Sequence, residues 1–236
     1  MSIFLRLLLA HLIGDFLLQT DKVFKIKVKY KWGVLLHGGI VTIVSALFII
    51  PYLHHLQVIS FLILLSIVHI LQDKAKIIFN EQIERNNLWT FLLDQVSHVL
   101  VIFFVSLGTT NLSRMKYPGP AVLQEIYLND HYVVFAIWFI VLTYGISIIQ
   151  EYIKKIIIKD RKENIIFPRS YQKYLEILER ALIGVFIFLG GTWYLFAIVT
   201  ALVGLFFVYK GKSPKVNFRV SIISALIIGL LMRITV

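Results

Sequence analysis

Three segments of the sequence each place a histidine four residues from an aspartate. The pairs are His11 and Asp15, His69 and Asp73, and Asp94 and His98. Because residues four apart lie on one face of an α-helix, each pair would present an imidazole and a carboxylate side by side. Neutral imidazole and carboxylate bind zinc, iron and manganese, and two histidines with one carboxylate are a recurrent catalytic set. The spacing therefore indicates a divalent-metal site.

A further histidine, His37, lies near the start of the second apolar segment and completes the candidate set. The candidate metal ligands are His11, Asp15, His37, His69, Asp73, Asp94 and His98. They suffice for one ion or two, with a carboxylate left to act as general base on water. Asp15 and Asp94 are the candidates for that base. A structural interpretation stays open, in which the pairs only form hydrogen bonds between packed helices.

The composition predicts that these residues lie in an integral membrane protein. Of 236 residues, 58% are hydrophobic and 16% are charged, and the mean hydropathy is +0.82. A soluble domain usually has about 45–50% apolar and about 25% charged residues. The absence of cysteine excludes disulfides and cysteine-type zinc sites. The net charge of +11 comes from basic residues between apolar runs, which favours a membrane surface over nucleic acid as the partner.

The apolar runs predict an all-α polytopic membrane protein with about eight transmembrane helices, since one span needs about 20 residues. The clear runs are Ile3–Leu18, Gly33–Leu53, Val58–Leu71, Leu88–Leu107, Tyr132–Ile149 and Val220–Ile234. The stretch Leu182–Tyr209 is too long for one span, and we expect a short hairpin broken at Gly190-Gly191, with its first helix starting near Leu175. The segment Tyr152–Lys159 is expected to be a basic interfacial helix.

The distribution of lysine and arginine predicts the orientation. If both termini lie outside, most basic residues fall on cytoplasmic loops, as the positive-inside rule requires. The His/Asp pairs then lie in the cytoplasmic leaflet of an inner membrane. The basic run Lys22–Lys31 is expected to contact anionic lipid. We expect one membrane domain over 1–236, with a four-helix part at 1–108 that carries the pairs and C-terminal helices at 109–236; the sequence leaves the oligomeric state open.

Several of these motifs resemble a known family. The segment 11–21, which includes Gln19 and Asp21, resembles the bacterial membrane family known as domain of unknown function 3307. The segments at Leu36-His37, 69–73 and 94–98 are similar to it as well, and 178–180 with the apolar hairpin resembles it more loosely. The resemblance implies a polytopic prokaryotic inner-membrane protein and implies no activity.

Three functions fit these observations. The first is a metal-dependent membrane hydrolase that acts on an amphiphilic, lipid-like substrate, with basic loops that favour an anionic headgroup. The second is a proton- or cation-coupled transporter or channel that uses the same residues. The third is a non-catalytic membrane scaffold or sensor. The hydrolase is favoured over the transporter because the polar residues stay on one side of the bilayer and the sequence has no detectable repeat.

Overall fold

The computed structural model describes residues 2–82, 88–109, 112–113, 120–158, 171–209 and 215–236, and over these residues the chain is helical, with no strand. The helices are α1 (Ser2–Leu12), α2 (Asp21–Lys29), α3 (Gly33–Phe48), α4 (Leu56–Gln82), α5 (Leu88–Leu107), α6 (Ala121–Leu128), α7 (Asp130–Ile140), α8 (Ile146–Ile158), α9 (Tyr171–Leu189), α10 (Trp193–Tyr209) and α11 (Lys215–Thr235). Two π-helical turns, Ile13–Leu18 and Val141–Gly145, continue α1 and α7. The predicted all-α fold is confirmed.

Four helices in the described part of the chain are long and apolar enough to cross a membrane. They are Leu56–Glu81, Leu88–Leu107, Asp130–Ile157 and Lys215–Thr235. A fifth is added if Ile3–Leu18 and Asp21–Lys29, which meet at a bend of 92°, form one broken span. The predicted count of about eight is therefore not supported. One reason is length, because α3 has 16 residues and α10 has 17, which rise only about 24–26 Å against about 30 Å of hydrocarbon.

The exposed surface of α5 and of the middle of α4, residues 61–71, is apolar, whereas buried positions of the two helices carry polar groups. The exposed side chains include Ile63, Ile67, Leu71, Leu93, Leu100 and Phe104. The buried positions of the same two helices hold His69, Asp73, Asp94 and His98. This is the reverse of a soluble helix, which turns its charged residues to water. The arrangement agrees with helices that face lipid.

The chain divides into two compact units, Met1–Val133 and Val134–Val236. In the first unit α1 packs against α3 and α5, and α4 packs against the same two helices, so the four close into a bundle. One end of the bundle has an apolar core that contains Leu7, Tyr52, Val58 and Ile102. The candidate metal ligands lie toward the opposite ends of the same helices. All four helices thus change from apolar to polar in one direction.

The N-terminal half of α1 also holds a buried charge in the first unit. The Arg6 side chain is fully buried; its guanidinium lies 2.5 Å from Asp130 Oδ1 and also donates to the carbonyl oxygen of Tyr127. Arg6 is buried whereas the Asp130 side chain is 44% exposed, and a buried cation that loses its partners is costly because its charge is left uncompensated. Arg6 therefore fastens α6 and the start of α7 to α1.

In the second unit α9 and α10 form the predicted hairpin. They are joined at Gly190 and Gly191, whose φ angles are +69° and +59°, a conformation that glycine adopts without steric cost. The break at this position is confirmed, although α9 begins at Tyr171, four residues before the expected start. The α9 helix packs against α10 and α11.

The predicted interfacial helix at Tyr152–Lys159 does not form a separate element. The described residues up to Ile158 are the C-terminal part of α8, which continues α7 through the π-helical turn Val141–Gly145; Lys159 lies outside the described residues. The sequence has no proline between Asp130 and Ile158 that would end the helix. The change from apolar to basic residues along α8 therefore does not end the helix.

Candidate metal centre

Four helices of the first unit bring the seven predicted residues together. His11 lies on α1 and Asp15 on the π-helical turn that continues it, His37 lies on α3, His69 and Asp73 lie on α4, and Asp94 and His98 lie on α5. All seven are buried, with exposed fractions between 0% and 8%. Burial of several ionisable side chains among apolar helices requires pairing or a bound ion.

The π-helical turn places Asp15 against α3. Its Oδ1 lies 3.1 Å from His37 Nε2, and its Oδ2 lies 3.8 Å from His11 Nε2. A Cβ at the adjacent Gly14 would come within 2.7 Å of Val41 Cγ2 on α3, so only glycine permits this approach of the two helices. Single π-helical turns occur frequently at functional sites. Here the turn and the glycine together carry a carboxylate to an imidazole on the neighbouring helix.

The pair on α4 is the centre of the cluster. Three sets of potential ligand atoms lie within 4.8 Å of one another: His11, Asp15 and His69; His37, His69 and Asp73; Asp73, Asp94 and His98. Both members of the α4 pair occur in two of these sets. His69 Nε2 lies 3.4 Å from Asp73 Oδ2, and His37 Nε2 lies 3.7 Å from the same oxygen. Two ligands of a tetrahedral zinc ion are about 3.3 Å apart, so the separations suit a shared ion.

Four of these atoms have no hydrogen-bond partner among the described residues. They are His11 Nε2, His69 Nε2, His98 Nε2 and Asp73 Oδ2, and all are buried. The large majority of buried polar atoms in proteins do have a partner. The ring centroids of His11 and His69 lie 4.9 Å and 4.5 Å from that of His98, so the three imidazoles form one group. Nitrogen and carboxylate donors of this kind fit a divalent transition metal.

The ring of His98 is oriented by a hydrogen bond to its own helix. Its Nδ1 lies 2.7 Å from the carbonyl oxygen of Asp94, which assigns the proton to Nδ1 because a carbonyl only accepts. The lone pair is then on Nε2, the atom without a partner. Metal-binding histidines almost always donate their other N–H in this way.

The structure adds two lysines that contact the carboxylates of the site. Lys27 Nζ lies 2.6 Å from Asp73 Oδ1 and 3.0 Å from Gln19 Oε1. Lys76 Nζ lies 2.7 Å from Asp94 Oδ2. The lysines were assigned to basic loops at the membrane surface. The structure instead continues α4 to Gln82 and turns Lys27 of α2 inward, with 7% of it exposed.

A helical projection of the basic run would have identified Lys27. At about 100° per residue, Lys27 lies roughly 170° from the mean direction of Lys22, Lys25 and Lys29. These three are exposed, and Lys27 is buried. Gln95 is a third residue that the sequence did not assign to the site; its Nε2 lies 3.3 Å from Asp15 Oδ2 and 3.2 Å from Asp94 Oδ2. No spacing in the sequence distinguishes this glutamine.

The charges of the site favour one divalent ion over two. The candidate ligands and the two lysines comprise three carboxylates, two ammonium groups and four imidazoles. With neutral imidazoles the net charge is one negative unit. One divalent cation would leave one positive charge, whereas two would leave three in a buried site, where uncompensated charge is costly.

A pocket extends from the imidazoles toward the apolar end of the bundle. It is lined by His11, His69 and His98, by the polar residues Thr42, Ser45, Ser66 and Gln72, and by aliphatic side chains that include Leu7, Leu65 and Ile102. Thr42 Oγ1 donates to Ser66 Oγ at 2.8 Å and links α3 to α4 on the pocket wall. The candidate ligands therefore have carboxylates and lysines on one side and a pocket with hydroxyl groups on the other.

The candidate site lies in the part of the chain that matches a protein-family model. The model of the family DUF3307, described as a protein of unknown function, matches residues 3–118. This range includes all seven candidate ligands and both lysines, and it does not include the looser resemblance at 178–180. Searches of the curated proteins and of the solved structures returned no match. Residues 3–118, just under half of the chain, therefore form a region that matches the domain of unknown function 3307.

Proposed function

We propose that the protein is a membrane-embedded hydrolase that uses one divalent metal ion, zinc, manganese or iron, held by the cluster in the first unit. The observation that carries the proposal is the group of four buried ligand atoms without hydrogen-bond partners. If the His/Asp pairs served only to join helices, as in a scaffold, these atoms would be expected to form hydrogen bonds with one another; His69 Nε2 and Asp73 Oδ2 lie 3.4 Å apart and form none. Their lone pairs instead suit a cation.

The two candidate bases differ in their surroundings. Asp94 Oδ2 is held by Lys76 and Gln95, whereas Asp15 contacts imidazoles and Gln95 but no lysine among the described residues. Asp15 is therefore the better candidate for the general base, and Asp73 Oδ2 is the better candidate for a metal ligand. A divalent ion bound here would polarise a substrate bond and make water more acidic.

We further propose that the site faces the cytoplasm from the inner membrane. Support comes from α2, which has Lys22, Lys25 and Lys29 exposed and is followed by a stacked pair of aromatic rings, Tyr30 and Trp32, whose centroids lie 5.5 Å apart. Basic residues and aromatic rings together are typical of the membrane interface, where they meet anionic lipid headgroups. An amphiphilic substrate at this interface would have its headgroup at the depth of the cluster.

The test is the metal content of the purified full-length protein, measured by mass spectrometry. A near-stoichiometric divalent metal is expected in the wild type and its loss in the triple variant Asp15→Asn/His69→Ala/Asp94→Asn. The variant His54→Ala/His131→Ala removes two histidines that are not part of the cluster and should retain the metal. A folded wild-type protein that binds no metal after addition of zinc, manganese or iron would overturn the proposal.

The pocket supports cation or proton transport as a second candidate. Its hydroxyl groups at Thr42, Ser45 and Ser66 continue the polar lining beyond the imidazoles, and chains of such groups carry protons or cations in membrane proteins. In proteoliposomes, Thr42→Val and Ser66→Ala should reduce flux if this function holds. A hydrolase should keep its metal in both variants and show no flux.

A further inference from the structure

Two ammonium groups stand beside the candidate metal ligands, and the proposed function does not use them. We propose that they recognise the substrate: Lys27 and Lys76 each bind an oxygen of a phosphate group whose third oxygen meets the metal. This inference rests on the proposed hydrolase and names the class of its substrate, a phosphate monoester.

The ammonium groups retain unused hydrogen-bond donors. Each has three N–H groups. Lys27 uses one on Asp73 and one on Gln19, and Lys76 uses one on Asp94. Among the described residues neither lysine donates to another oxygen or nitrogen atom; Lys76 Nζ also lies over the ring of Phe91, 5.6 Å from its centroid. Three N–H groups therefore remain beside the cluster, and a bound anion could accept hydrogen bonds from them.

The two lysines approach neighbouring ligands. Asp73 and Asp94 belong to one set of potential ligand atoms together with His98, so the two ammonium groups are bound to neighbouring members of that set. Lys27 donates a hydrogen bond to Asp73 Oδ1, and Asp73 Oδ2 accepts none. The side chain of Lys76 is 24% exposed, which gives access from outside the bundle.

The number of oxygens and the charge distinguish phosphate from carboxylate. A phosphate monoester has three terminal oxygens, one for the metal and one for each ammonium group, whereas a carboxylate has two. Clamps of this composition, lysine with a divalent metal, stabilise the charge of a phosphoryl group during transfer. With one divalent ion the site carries one net positive charge, which favours a phosphate anion.

The reaction balances with water as the only co-substrate. The oxygen of water forms a bond to phosphorus, and the ester bond between phosphorus and the alcohol oxygen breaks. The proton that leaves the water passes to Asp15, and from Asp15 to the alcohol oxygen. The products are inorganic phosphate and an alcohol. The ester is either a lipid headgroup at the interface or a soluble phosphate ester.

The experiment measures phosphate binding by isothermal titration calorimetry on the full-length, metal-loaded protein, with metal content determined in every sample. Lys27→Gln and Lys76→Gln should each weaken the affinity for inorganic phosphate at least about tenfold, the usual effect of losing a hydrogen bond to a charged group, while the metal remains. Lys22→Gln on α2 and Lys74→Gln on α4 are matched controls, because both lysines are exposed; they should change the affinity less than about twofold. Lys27→Arg and Lys76→Arg, which keep the charge, should restore part of the affinity.

The outcomes separate this inference from the proposed function. Equal phosphate affinity in the wild type and in Lys76→Gln, with metal present in both, would overturn the role of the lysines and leave the metal site intact. Absence of metal from the wild type would instead overturn the hydrolase and this inference with it. If Lys27→Gln does not fold, the partly exposed Lys76 provides the test.

Stronger binding of a lysophosphatidic acid than of inorganic phosphate or of the uncharged monoacylglycerol would identify a lipid headgroup as the source. Preference for inorganic phosphate would identify a soluble ester, and binding of neither phosphate compound would contradict the inference.

Discussion

At the scale of single residues, Lys27 and Asp73 are a buried ion pair between α2 and α4. Their side chains are 8% and 1% exposed, and Nζ lies 2.6 Å from Oδ1. Removing one partner of a buried pair leaves an uncompensated charge and costs about 3–5 kcal/mol. Removing both charges leaves no such penalty. The effects of substituting these two residues on the free energy of unfolding are therefore strongly coupled.

A double-mutant cycle tests this coupling. Lys27→Met and Asp73→Asn should each lower the free energy of unfolding by about 3 kcal/mol. The double variant should lose at least about 1 kcal/mol less than the two effects added together. Unfolding is followed by tryptophan fluorescence in detergent with a chelator present, so that metal binding does not contribute. Lys22→Met, a change at an exposed position of the same helix, should stay within about 0.5 kcal/mol of the wild type; additive effects at 27 and 73 would contradict the coupling.

The residues of the site differ in how well the sequence predicts them. The spacing of four between histidine and aspartate is a local property, and the structure brings all three pairs and His37 together. Whether these side chains are metal ligands stays a prediction. Lys76 depends on where α4 ends, which the composition of its segment does not give. The inward position of Lys27 is indicated by a helical projection of α2 but not by the composition of the basic run. The fit of Asp15 to His37 depends on a π-helical turn that no residue pattern indicated.

At the scale of elements, α3 and α4 are held close at the site by one of two adjacent glycines. A Cβ at Gly38 would clash with the side chain of Ile70, whereas a Cβ at Gly39 would meet nothing within 4 Å. Gly38 follows His37, and Ile70 follows His69, so the close contact lies at the level of the cluster. The separation of these two helices is therefore set where two candidate ligands face each other.

Substituting Gly38 and Gly39 by alanine separates the effect of helix packing from the effect of helix propensity. Gly38→Ala should push α3 away from α4, lower the free energy of unfolding by about 1–3 kcal/mol and weaken zinc binding. Gly39→Ala has space for its methyl group and should be neutral or stabilise by up to about 1 kcal/mol, because alanine favours helix over glycine. Denaturation and zinc titration of both variants test this. Equal effects at 38 and 39 would show that the packing of α3 on α4 does not control the site.

The boundaries of the helices were predicted less well than their existence. The run Val58–Leu71 ends where apolar residues end, but α4 continues to Gln82, because nothing in that polar segment interrupts the backbone hydrogen bonds. The same holds for α8, which continues α7. In contrast, Gly190 and Gly191 end α9 as predicted, since their positive φ is a local requirement. Glycines that impose a backbone conformation therefore predict the end of a helix correctly, whereas a change from apolar to polar residues does not.

At the scale of the whole molecule, the number of spans depends on the short helix α3. Its 16 residues rise about 24 Å, less than the hydrocarbon thickness of about 30 Å. The chain continues through Ile49 and a 3₁₀ turn at Ile50–Tyr52, which adds length at that end. If α3 crosses, Lys31 and His54 lie on opposite sides of the membrane. If it re-enters, they lie on the same side.

Single-cysteine labelling decides between these arrangements, and the chain has no cysteine to interfere. Lys31 and His54 are both exposed, so Lys31→Cys and His54→Cys should each be reactive. By the positive-inside rule, a thiol reagent that does not cross membranes should label His54→Cys in intact cells. It should label Lys31→Cys only after permeabilisation. Labelling of both in intact cells, or of neither, would show that α3 does not cross. Labelling of Lys31→Cys alone would place the lysines and the candidate metal centre on the outer side, and a cytoplasmic substrate would then be excluded.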